Sequence, residues 1–534
     1  MPLDKALVVD DVSLAEGALG RSVPRAGVAL IRPPVIFKDG AVTLEATPAL
    51  GLAYLSSYLK KHGHATKVID AMGEALNNVW SPEGYPGFKC QGLTFDEVYE
   101  MIPKNTQVIG ITAMFSGEWP IVRDMISFIS KKFPKALIVA GGEHITAVSE
   151  YCLRDCPELD LVVRGEGEHT FYEIVEYHMA GLAGVPDIHG IGYLDGEEYV
   201  QTGANPRIRN IDSIPWPDWP EGYLEKYWDA GKSFGPQTAR DMPMMFSRGC
   251  PYQCAFCSNP QMYTTRYILR DIDDVLAEVE TWIKKYNITA VQLYDLTAIM
   301  KKSWIIEFFT KVIDRGIKIQ WDFPSGTRSE DLDEEVIAIL RKAGTQYFCF
   351  APESGSQRTL DRVKKRVNLN KITKSIMTAK SYGMTVRANT IIGFPGEERV
   401  DIWKTLLYGL KLVSLGVAEI QPYIFMPYPG SELFAEISKT DERIVLNDEY
   451  FLSLNAMNSD ITNFSNKTFA KNVGPRELAF YRFLFAICSY GLGYLVRPLR
   501  IYRTIKNVFS HDSAATVFEH RLKDFFRRKT KSSA

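Results

Sequence analysis

Two regions of this chain alternate short apolar runs with amphipathic stretches of helical length. The chain has 534 residues, enough for two or three domains with separate cores. Residues 25–180 hold the first series and residues 241–430 the second. Strands that alternate with helices form parallel sheets, and such sheets bind ligands at the carboxyl ends of their strands. The sequence therefore predicts an α/β fold with two sheets of this kind.

Composition and charge narrow the class of protein. Hydrophobic residues make up 46% of the chain and charged residues 24%, which is typical of a globular protein. The net charge of −2 gives no reason to expect nucleic acid as a partner. Eight cysteines in a chain of this length, without a signal peptide, indicate a reducing compartment rather than a disulfide framework. We therefore expect a cytoplasmic protein.

Three cysteines lie within eight residues in the loop that opens the second region. Cys250, Cys254 and Cys257 have the spacing C-x3-C-x2-C. Cysteine thiolates hold iron–sulfur clusters, and a cluster of four irons has four positions for ligands. Three cysteines on one loop leave one iron free to bind a small molecule. The spacing therefore favours a catalytic [4Fe–4S] cluster over a centre that only transfers electrons.

A structural zinc site is the alternative for these cysteines. Such a site takes four ligands, usually in two separated pairs of cysteine or histidine. The chain has no histidine within thirty residues of the loop. The remaining cysteines are scattered, at Cys90, Cys152, Cys156, Cys349 and Cys488. The cluster is the favoured interpretation, and Cys349, which alternates with core residues, is interpreted as a buried apolar side chain.

The cysteine loop, with Phe256 just before its last cysteine, resembles the signature of the radical S-adenosylmethionine (SAM) superfamily. The resemblance covers residues 241–430 and implies a partial (β/α)6 barrel that binds a cluster and SAM. Glu353 resembles the acidic residue at the SAM ribose, and Arg328 a polar residue near the methionine carboxylate. Further SAM-binding positions are implied at Phe256, Ser354, Ile391, Gly393 and Gly396.

Two of these implied SAM positions have an alternative interpretation. The family pattern G-x-I-x-G-x-x-G begins here with Asn389 instead of glycine. Gly393-Phe394-Pro395-Gly396 is also the composition of an ordinary tight turn. Asp295 follows the second strand of the predicted barrel, where relatives often carry an acidic residue near SAM or substrate, and is the predicted catalytic residue. A turn or helix cap is the alternative for Asp295.

The loops of the first region carry a second resemblance. The position after its first strand holds Arg32-Pro33-Pro34 instead of the glycines of a dinucleotide site. As a set, the loops are similar to those of the cobalamin-binding domain that precedes many radical SAM barrels, a doubly wound Rossmann-like fold. The implied cobalamin contacts are Thr112, Ala113, Met114, Gly141, Gly142, His144, Gly165 and Glu166.

A histidine ligand to cobalt is not expected from the family's usual motif. In that motif, D-x-H-x-x-G, the histidine binds cobalt from below, but Asp70 is followed here by Ala71 and Met72. His144 is the nearest candidate, although a hydrogen bond to backbone or nucleotide is the favoured role. Cobalamin without a lower protein ligand is common in this group and favours methyl transfer.

The predicted organisation has five parts. They are an extension over 1–24, a cobalamin-binding domain over 25–180, a linker over 181–240, a radical SAM domain over 241–430 and a helical region with a basic tail over 431–534. Leu478–Val496 is apolar, and Arg497, Arg500, Arg503 and Lys506 follow it. We favour a helix packed on the catalytic domain, with peripheral membrane contact as the alternative. A basic tail follows, with Arg521, Lys523, Arg527, Arg528, Lys529 and Lys531.

The resemblance implies an enzyme that cleaves SAM to a 5′-deoxyadenosyl radical and transfers a methyl group from methylcobalamin to carbon. The apolar helix modestly favours a small hydrophobic substrate, and a flavodoxin or ferredoxin is the expected electron donor. One alternative is a non-methylating enzyme, since anaerobic magnesium-protoporphyrin monomethyl ester cyclases share this domain order. Another is a cobalamin or cluster sensor, which would need a signalling module that the sequence does not display.

Overall fold

The structure is a computed structural model that describes most of the chain. It covers residues 25–41, 46–181, 188–204, 207–328, 332–459 and 467–509, together with Thr516, Phe518, Glu519, Leu522 and Lys523. The predicted extension over 1–24 lies outside the described residues. So do the basic residues of the predicted tail other than Lys523.

The first region forms a doubly wound sheet with helices on both faces. Its strands are β1 Gly27–Arg32, β2 Val35–Lys38, β3 Ala65–Asp70, β4 Val79–Trp80, β5 Phe88–Gln91, β6 Val108–Thr112, β7 Leu137–Gly141, β8 Leu161–Val163, β9 Ile191–Asp195 and β10 Glu198–Gln201. Its helices are α1 Leu50–Lys61, α2 Ala71–Glu74, α3 Phe95–Met101, α4 Trp119–Lys132, α5 Glu143–Ala147, α6 Ser149–Asp155 and α7 Glu168–Met179.

The strand order of the first sheet places a ligand crevice at its centre. The order is β10-β9-β8-β7-β6-β1-β3, and β1, β3, β6, β7 and β8 are parallel. The chain winds to one side of β1 through β3 and to the other side through β6. Ligands of such sheets bind beyond the carboxyl ends of the strands where the direction reverses. The crevice of this sheet therefore lies between the ends of β1 and β6.

A hairpin from the predicted linker extends this sheet. Strand β9 pairs antiparallel with β8, with Val162 opposite Gly192, and β10 pairs with β9. A separate antiparallel sheet of β2, β5 and β4 lies beside the main sheet. The exact bounds of the linker over 181–240 stay a prediction, but its first part is hydrogen-bonded to the first sheet.

The second region forms a parallel sheet of six strands and a separate two-stranded ribbon. Its strands are β11 Asp241–Met244, β12 Ser247–Arg248, β13 Ile268–Leu269, β14 Ala290–Leu293, β15 Gln320–Thr327, β16 Thr345–Glu353, β17 Thr385–Ile392 and β18 Glu419–Ile424. Its helices, with one that precedes it, are α8 Tyr223–Asp229, α9 Asn259–Tyr263, α10 Ile272–Tyr286, α11 Lys302–Asp314, α12 Glu334–Lys342, α13 Gln357–Arg362, α14 Leu369–Ser381 and α15 Arg399–Leu415.

The order of this second sheet is β11-β14-β15-β16-β17-β18, so consecutive strands of the chain are neighbours. Strands β12 and β13 form a separate two-stranded ribbon that flanks the cysteine loop. A parallel sheet that winds in one direction curves into a barrel with its helices outside. The predicted α/β fold, with a doubly wound first domain and a partial barrel, is confirmed.

The two faces of the barrel strands differ in polarity. Gln292, Asp322 and Tyr347 are register partners on three neighbouring strands, and Arg387 and Glu419 on the next two. Residues in register on parallel strands share a face, so this buried inner face is polar. The outer face packs aromatic rings between sheet and helix α11, and these rings are Phe246, Trp304, Phe308, Phe309, Trp321, Phe323 and Phe348.

The C-terminal region is helical, as predicted, and contacts both of the preceding regions. Its helices are α16 Glu432–Ile437, α17 Asp448–Ser459, α18 Pro475–Val496 and α19 Leu499–Phe509. On α17, Asn455 Nδ2 donates to the carbonyl oxygens of Ile36 (3.0 Å) and Gly117 (2.9 Å) in the first region. One turn later, the Asn458 side chain bonds both the N–H and the carbonyl of Ile424, at the end of β18.

Helix α18 is, among the described residues, the one helix long and apolar enough to cross a membrane by length and composition alone. One of its faces is packed against the barrel. Phe485 lies against Gly409 of α15, and Arg482 Nε donates to the Pro422 carbonyl in β18 at 3.2 Å. The packing over β18 agrees with the favoured sequence interpretation of this helix.

A buried ion-pair network joins the two regions. Arg248, at the end of β12, contacts Glu166 (3.3 Å) and Glu168 (2.6 Å), which follow β8. Glu166 also contacts Arg207 at 3.0 Å and accepts a hydrogen bond from the Ile208 N–H at 3.0 Å. All three charged groups of the Arg248 contact are at most 8% exposed. The contact fixes the loop after β8 beside the strand that leads into the cysteine loop.

Replacement of Arg248 by methionine tests this contact. We expect Arg248→Met to lower the free energy of unfolding by about 3–5 kcal/mol, because Glu168 stays buried without its cation and Glu166 keeps only Arg207. Urea unfolding followed by tryptophan fluorescence measures the change. The control is Arg154→Met, whose exposed pair with Glu150 on α6 contributes less than about 0.5 kcal/mol. Equal effects of the two substitutions would contradict a structural role for the Arg248 network.

Candidate functional site

The cysteine loop lies between β12 and α9, beyond the carboxyl end of β11. Gly249 opens it with a φ of +87°, and a Cβ there would overlap the Arg266 carbonyl, so only glycine fits. The Ala255 N–H donates to the Val363 carbonyl at 2.9 Å. The Cys257 N–H donates to the Cys254 carbonyl at 3.0 Å and closes a turn. Backbone contacts therefore fix the path of the loop that carries the three thiols.

The thiols lie among cations. Arg328 Nη1 is 3.8 Å from Cys254 Sγ, and the Arg328 guanidinium stacks on the Tyr252 ring at 3.5 Å. Burial raises the pKa of the Cys250 thiol, while Lys365 and Arg328 act in the opposite direction. Burial also raises the pKa of Cys257 to about 12. Such thiols become thiolates when a metal replaces the proton, and nearby cations favour the anionic site that results.

The donor set fits a cluster better than a single ion. Within the described ranges, no three histidine, cysteine or carboxylate side chains converge on one metal ion. In a cluster each thiolate binds a different iron, so three thiolates spread around one loop can all be ligands of the same cluster. The three half-buried cysteines are free of disulfides. The residues present therefore fit a [4Fe–4S] cluster, as the sequence predicts.

Glu353, predicted to bind SAM, ends β16 in a strained conformation. Its φ is +62°, which side chains other than glycine rarely adopt. Its carboxylate accepts a hydrogen bond from Lys365 Nζ at 2.8 Å, and both side chains are nearly buried. Lys365 also lies 5.9 Å from the Phe256 ring, next to the last cysteine. The ion pair thus connects the end of β16 to the cysteine loop.

Ser354, also predicted at the SAM site, has its side chain bonded to a helix. Its hydroxyl bonds the Thr405 hydroxyl of α15 at 2.9 Å, and the side chain is fully buried. Its neighbour Ser356 donates to Asp401 of the same helix at 2.8 Å. The loop after β16 is therefore anchored to α15 through Ser354, and Ser354 supports Glu353 from behind.

Asp295, the predicted catalytic residue, is saturated by hydrogen bonds. It accepts from the Phe246 N–H at 3.0 Å and from the Ser247 hydroxyl, and it is 1% exposed. Burial raises the pKa of Asp295 to about 6. These contacts hold the chain that leads from β11 into the cysteine loop. The geometry fits the alternative interpretation, in which Asp295 positions this segment.

The turn after β17 needs both of its glycines. Gly393 and Gly396 have φ values of +91° and +69°. Glu397, which the sequence analysis missed, accepts from the N–H groups of Gly393 (2.6 Å) and Phe394 (3.1 Å). Phe394 packs against Phe256 with ring centres 5.6 Å apart. The turn therefore supports the cysteine loop, while Ile391 lies half-buried just before it.

The loops after β6 and β7 in the first sheet touch each other closely. A Cβ at Gly142, whose φ is +117°, would lie 2.6 Å from the Ala113 carbonyl. The Ala113 N–H donates to the Gly141 carbonyl at 2.8 Å. Met114 and its neighbour Phe115 expose 42% and 58% of their surface beside this contact. Exposed apolar side chains at a ligand crevice are the surface that a bound ring such as cobalamin would cover.

His144 does not point into the crevice. Its Nδ1 bonds the Ser116 hydroxyl at 2.9 Å, and its Nε2 lies 3.4 Å from Cys152 Sγ. The ring packs between Trp119 and Phe451 and is 1% exposed. Helix α5 begins one residue earlier and turns the side chain into the domain. The structure therefore gives His144 a structural role and leaves neither ring nitrogen for a ligand.

The loop after β8 contributes to the domain contact more than to the crevice. The Gly165 N–H donates to Thr146 Oγ1 at 2.9 Å, with Gly165 at a φ of +79°. The Glu166 carboxylate is occupied by Arg248, Arg207 and the Ile208 N–H. Thr112 is half-buried at the end of β6. Of the eight predicted cobalamin contacts, Glu166 and His144 are thus held by other side chains.

Sequence reasoning missed a charged cluster at the reversal point of the first sheet. Arg32 ends β1 and lies 3.6 Å from Asp70, which ends β3. Tyr223 and Tyr227 on α8 donate to the same Asp70 oxygen at 2.7 and 2.6 Å. Burial raises the pKa of the neighbouring Glu118 to about 7. The two tyrosines come from the predicted linker, and no local pattern marks them.

The carboxyl ends of the two sheets meet. Ser258, next to the last cysteine, donates a hydrogen bond to Glu143 at the start of α5. Thr146 of α5 lies 3.5 Å from the sulfur of Met262 on α9. Leu296, an apolar residue that follows β14 at the mouth of the barrel, exposes 44% of its surface. One crevice is therefore bordered by the cysteine loop and by the loops after β6 and β7.

Comparisons with known proteins give the same two domains. The B12 binding domain family matches residues 39–175, and the Radical SAM superfamily matches residues 244–408. An uncharacterized methyltransferase from Pyrococcus horikoshii is 27% identical over 456 residues, which cover 85% of this chain and 92% of that protein. The anaerobic magnesium-protoporphyrin IX monomethyl ester cyclase of Rubrivivax gelatinosus is 28% identical over 413 residues, 76% of this chain and 69% of that one.

A solved structure shares the fold of nearly the whole chain. It is the radical S-adenosylmethionine methyltransferase TsrM from Kitasatospora setae, with cobalamin and a [4Fe–4S] cluster bound. The TM-score is 0.67 at 12% sequence identity, and the match covers 96% of this chain and 100% of TsrM. At this identity the likeness shows the arrangement of the domains.

Single cysteine substitutions test the cluster assignment. We expect Cys250→Ala, Cys254→Ala and Cys257→Ala each to lower bound iron after anaerobic reconstitution, because each removes a ligand. Iron and sulfide analysis, with the absorbance of the reconstituted protein, measures the loss. Cys349→Ala is the matched control, since Cys349 is fully buried in β16, and it should retain iron. Full iron content in all three loop variants would refute the assignment.

The buried His144 predicts a pH dependence of stability. Burial lowers the pKa of His144 to about 3 in the folded chain, against an ordinary value of 6.5. Between these values the unfolded chain binds more protons, so stability falls as the pH falls. From pH 7 to pH 5 the contribution of this residue is a loss of about 2 kcal/mol.

Urea unfolding at the two pH values measures this loss. His144→Gln should reduce the pH dependence by about that amount, since glutamine does not titrate. His189→Gln, at an exposed position, is the control and should leave the dependence unchanged. An unaltered pH dependence in His144→Gln would show that the folded chain accepts a proton there.

Proposed function

We propose that this chain methylates a carbon atom of a small substrate, because it belongs to the radical SAM enzymes that carry a B12-binding domain. The chain is an enzyme of the methyltransferase-like group, with a [4Fe–4S] cluster, SAM and cobalamin as its cofactors. The contact between Glu143 and Ser258 is the observation that carries the proposal. It brings the crevice of the first sheet to the cysteine loop, so that a methyl donor and a radical source would face each other there.

When bound, the cluster with SAM supplies a carbon radical that removes hydrogen, and cobalamin supplies the methyl group. The chain's own residues would bind and orient these groups. Cys250, Cys254 and Cys257 would hold the cluster. Glu353 would accept hydrogen bonds from the SAM ribose hydroxyls, with Lys365 keeping its carboxylate in place. Arg328, beside Cys254, would pair with the SAM carboxylate.

The first domain would hold cobalamin at the reversal point of its sheet. Gly141 and Gly142 leave room for a large ligand beside the backbone, and Thr112 offers a hydroxyl. Met114 and Phe115 present apolar surface at the same edge. Because His144 is occupied by Ser116 and Cys152, the chain offers no ligand to cobalt at that position. Cobalamin held here without His144 as a ligand would fit the arrangement that the sequence predicts for methyl transfer.

The barrel interior supports a substrate with hydrogen-bonding groups. Half-buried polar side chains follow the buried polar layer toward the mouth of the barrel, and these are Tyr294, Ser325, Asn389, Gln421 and Tyr423. Arg387, deeper in the barrel, donates to the Tyr423 hydroxyl at 3.0 Å, and its Nε has no hydrogen-bond partner among the described residues. Unsatisfied polar groups favour a polar ligand over a hydrocarbon. The hydrophobic substrate expected from the C-terminal helix has less support.

We also propose that the protein makes peripheral contact with a membrane. Helix α19 exposes Leu499 (83%) and Tyr502 (71%) and carries Arg503 and Lys506. Apolar and basic side chains on one short exposed helix are typical of a helix that rests on anionic lipid. The catalytic proposal does not depend on this contact.

Non-methylating chemistry is the second candidate, favoured by the cyclase that is 28% identical to this chain. Product analysis separates the two. With substrate, a methylase should release S-adenosylhomocysteine and 5′-deoxyadenosine in equal amounts, since one SAM provides the methyl group and another the radical. Mass spectrometry of the anaerobically reconstituted protein measures both. Deoxyadenosine without S-adenosylhomocysteine would favour the cyclase-like reaction, and release of neither would contradict both candidates.

Glu353 provides a test that needs no substrate. We expect Glu353→Ala to raise the Kd for SAM about ten-fold or more, because a buried charged acceptor is lost. Iron content should stay unchanged. Equilibrium binding of SAM to the reconstituted protein measures the Kd. The control is Glu432→Ala, an exposed carboxylate paired with Lys364, which should leave the Kd unchanged. Equal affinities of wild type and Glu353→Ala would remove Glu353 from the SAM site.

A further inference from the structure

An open cationic cleft lies on the surface beside the cysteine loop. Its volume is about 590 Å³. Its charged members are Arg209, Arg266 and Lys301, and its remaining lining consists of Tyr267, Ile268 and Leu269. The lining residues come from three separate segments of the chain, so the cleft is formed by the fold. The side chains that line it have no role in the sites described above, although the Arg266 backbone carbonyl contacts the cysteine loop at Gly249.

The floor of the cleft continues directly into the cluster ligands. Ile268 pairs with Arg248 in the β12–β13 ribbon. Arg248 precedes Cys250 by two residues. At the next position, the Arg266 carbonyl lies so close to Gly249 that a side chain would not fit. The Arg207 guanidinium donates to the same carbonyl at 3.3 Å. The cleft is therefore separated from the cysteine loop by one strand of the ribbon.

The positive charge of the cleft is not neutralised by the described residues. Arg209, Arg266 and Lys301 are all exposed, and no ion pair joins them to a described carboxylate. The nearby carboxylates pair with other cations. Asp212 and Asp274 contact Arg270, and Asp273 contacts Lys311 and Arg315. Lys302, next to Lys301, differs because it pairs with Asp333 and Glu335.

We propose that this cleft is the docking surface for an acidic electron-carrier protein, which supplies the reducing electron to the cluster. The inference rests on the proposed function, because only a redox-active cluster needs such a donor. Uncompensated exposed cations attract an acidic surface and speed its encounter. The carrier's reduced cofactor is oxidised by one electron and the cluster is reduced by one. No proton moves and no covalent bond forms.

Charge reversal tests the docking surface with flavodoxin as the probe. The test variant combines Arg209→Glu, Arg266→Glu and Lys301→Glu. The control combines Lys104→Glu, Lys131→Glu and Lys135→Glu, three exposed lysines of the first region, and changes the net charge equally. Equilibrium binding of flavodoxin to the reconstituted full chain is measured at about 20 mM and about 300 mM salt. Deoxyadenosine release is measured with reduced flavodoxin and, separately, with titanium(III) citrate.

We expect the cleft variant to bind flavodoxin about ten-fold more weakly than wild type at low salt, and the control variant to bind normally. High salt should reduce the difference. The cleft variant should lose deoxyadenosine release with flavodoxin but keep it with titanium(III) citrate. Equal flavodoxin affinity in all three proteins would overturn the proposal. Loss of binding to phosphatidylglycerol vesicles, with flavodoxin binding intact, would assign the cleft to lipid and also overturn it.

These measurements separate the docking surface from the proposed function. If wild type releases no deoxyadenosine even with titanium(III) citrate, the radical SAM proposal fails. Flavodoxin affinity is measured without turnover, so it still decides whether the cleft binds the carrier. Iron content, expected to be equal in the three proteins, shows that the substitutions leave the cysteine loop intact.

Discussion

The buried contact of Arg248 with Glu166 and Glu168 fixes the relation between the two halves of this chain. The two carboxylates follow β8, and the cation comes from the strand that enters the cysteine loop. Charges at this depth are stable only as a complete set, so the geometry of the contact is narrow. The shared crevice depends on it, because the crevice of the first sheet must lie against the mouth of the barrel. The bond between Ser258 and Glu143 occurs at the same junction.

Local patterns in the sequence predicted the fold well. The stretch Thr385–Ile392 forms β17 along its whole length, and the amphipathic stretch over residues 271–286 forms α10 from Ile272 onward. Parallel strands buried on both sides read as continuous apolar runs, and their helices have a clear apolar face. The cysteine spacing is local as well, since all three ligands lie on one short loop. Such features need no knowledge of distant contacts.

Residues whose partners are distant in sequence were harder to interpret. His144 stands in a glycine-rich loop at a strand end, yet Cys152 and Ser116 occupy its ring. Glu166 occurs in a similar loop but pairs with Arg248, which is 82 residues away. Asp295 follows a strand as a catalytic acid would, but it caps the segment at Phe246. Tyr223 and Tyr227 lie in a segment interpreted as linker, although they bind Asp70. The sequence gives the residue type at such positions, while the tertiary partner decides its role.

The barrel strands separate two demands that many proteins place on the same side chains. The outer face, with Phe308, Trp321 and Phe348, provides the close aromatic packing that holds sheet and helices together. The inner face, with Gln421 and Asn389 toward the mouth, contributes little to that packing. Substitutions at these half-buried positions near the mouth therefore cost the fold less than substitutions on the outer face or in the buried polar layer. A lineage built on this architecture is free to acquire new substrates by changing alternate residues of the same strands.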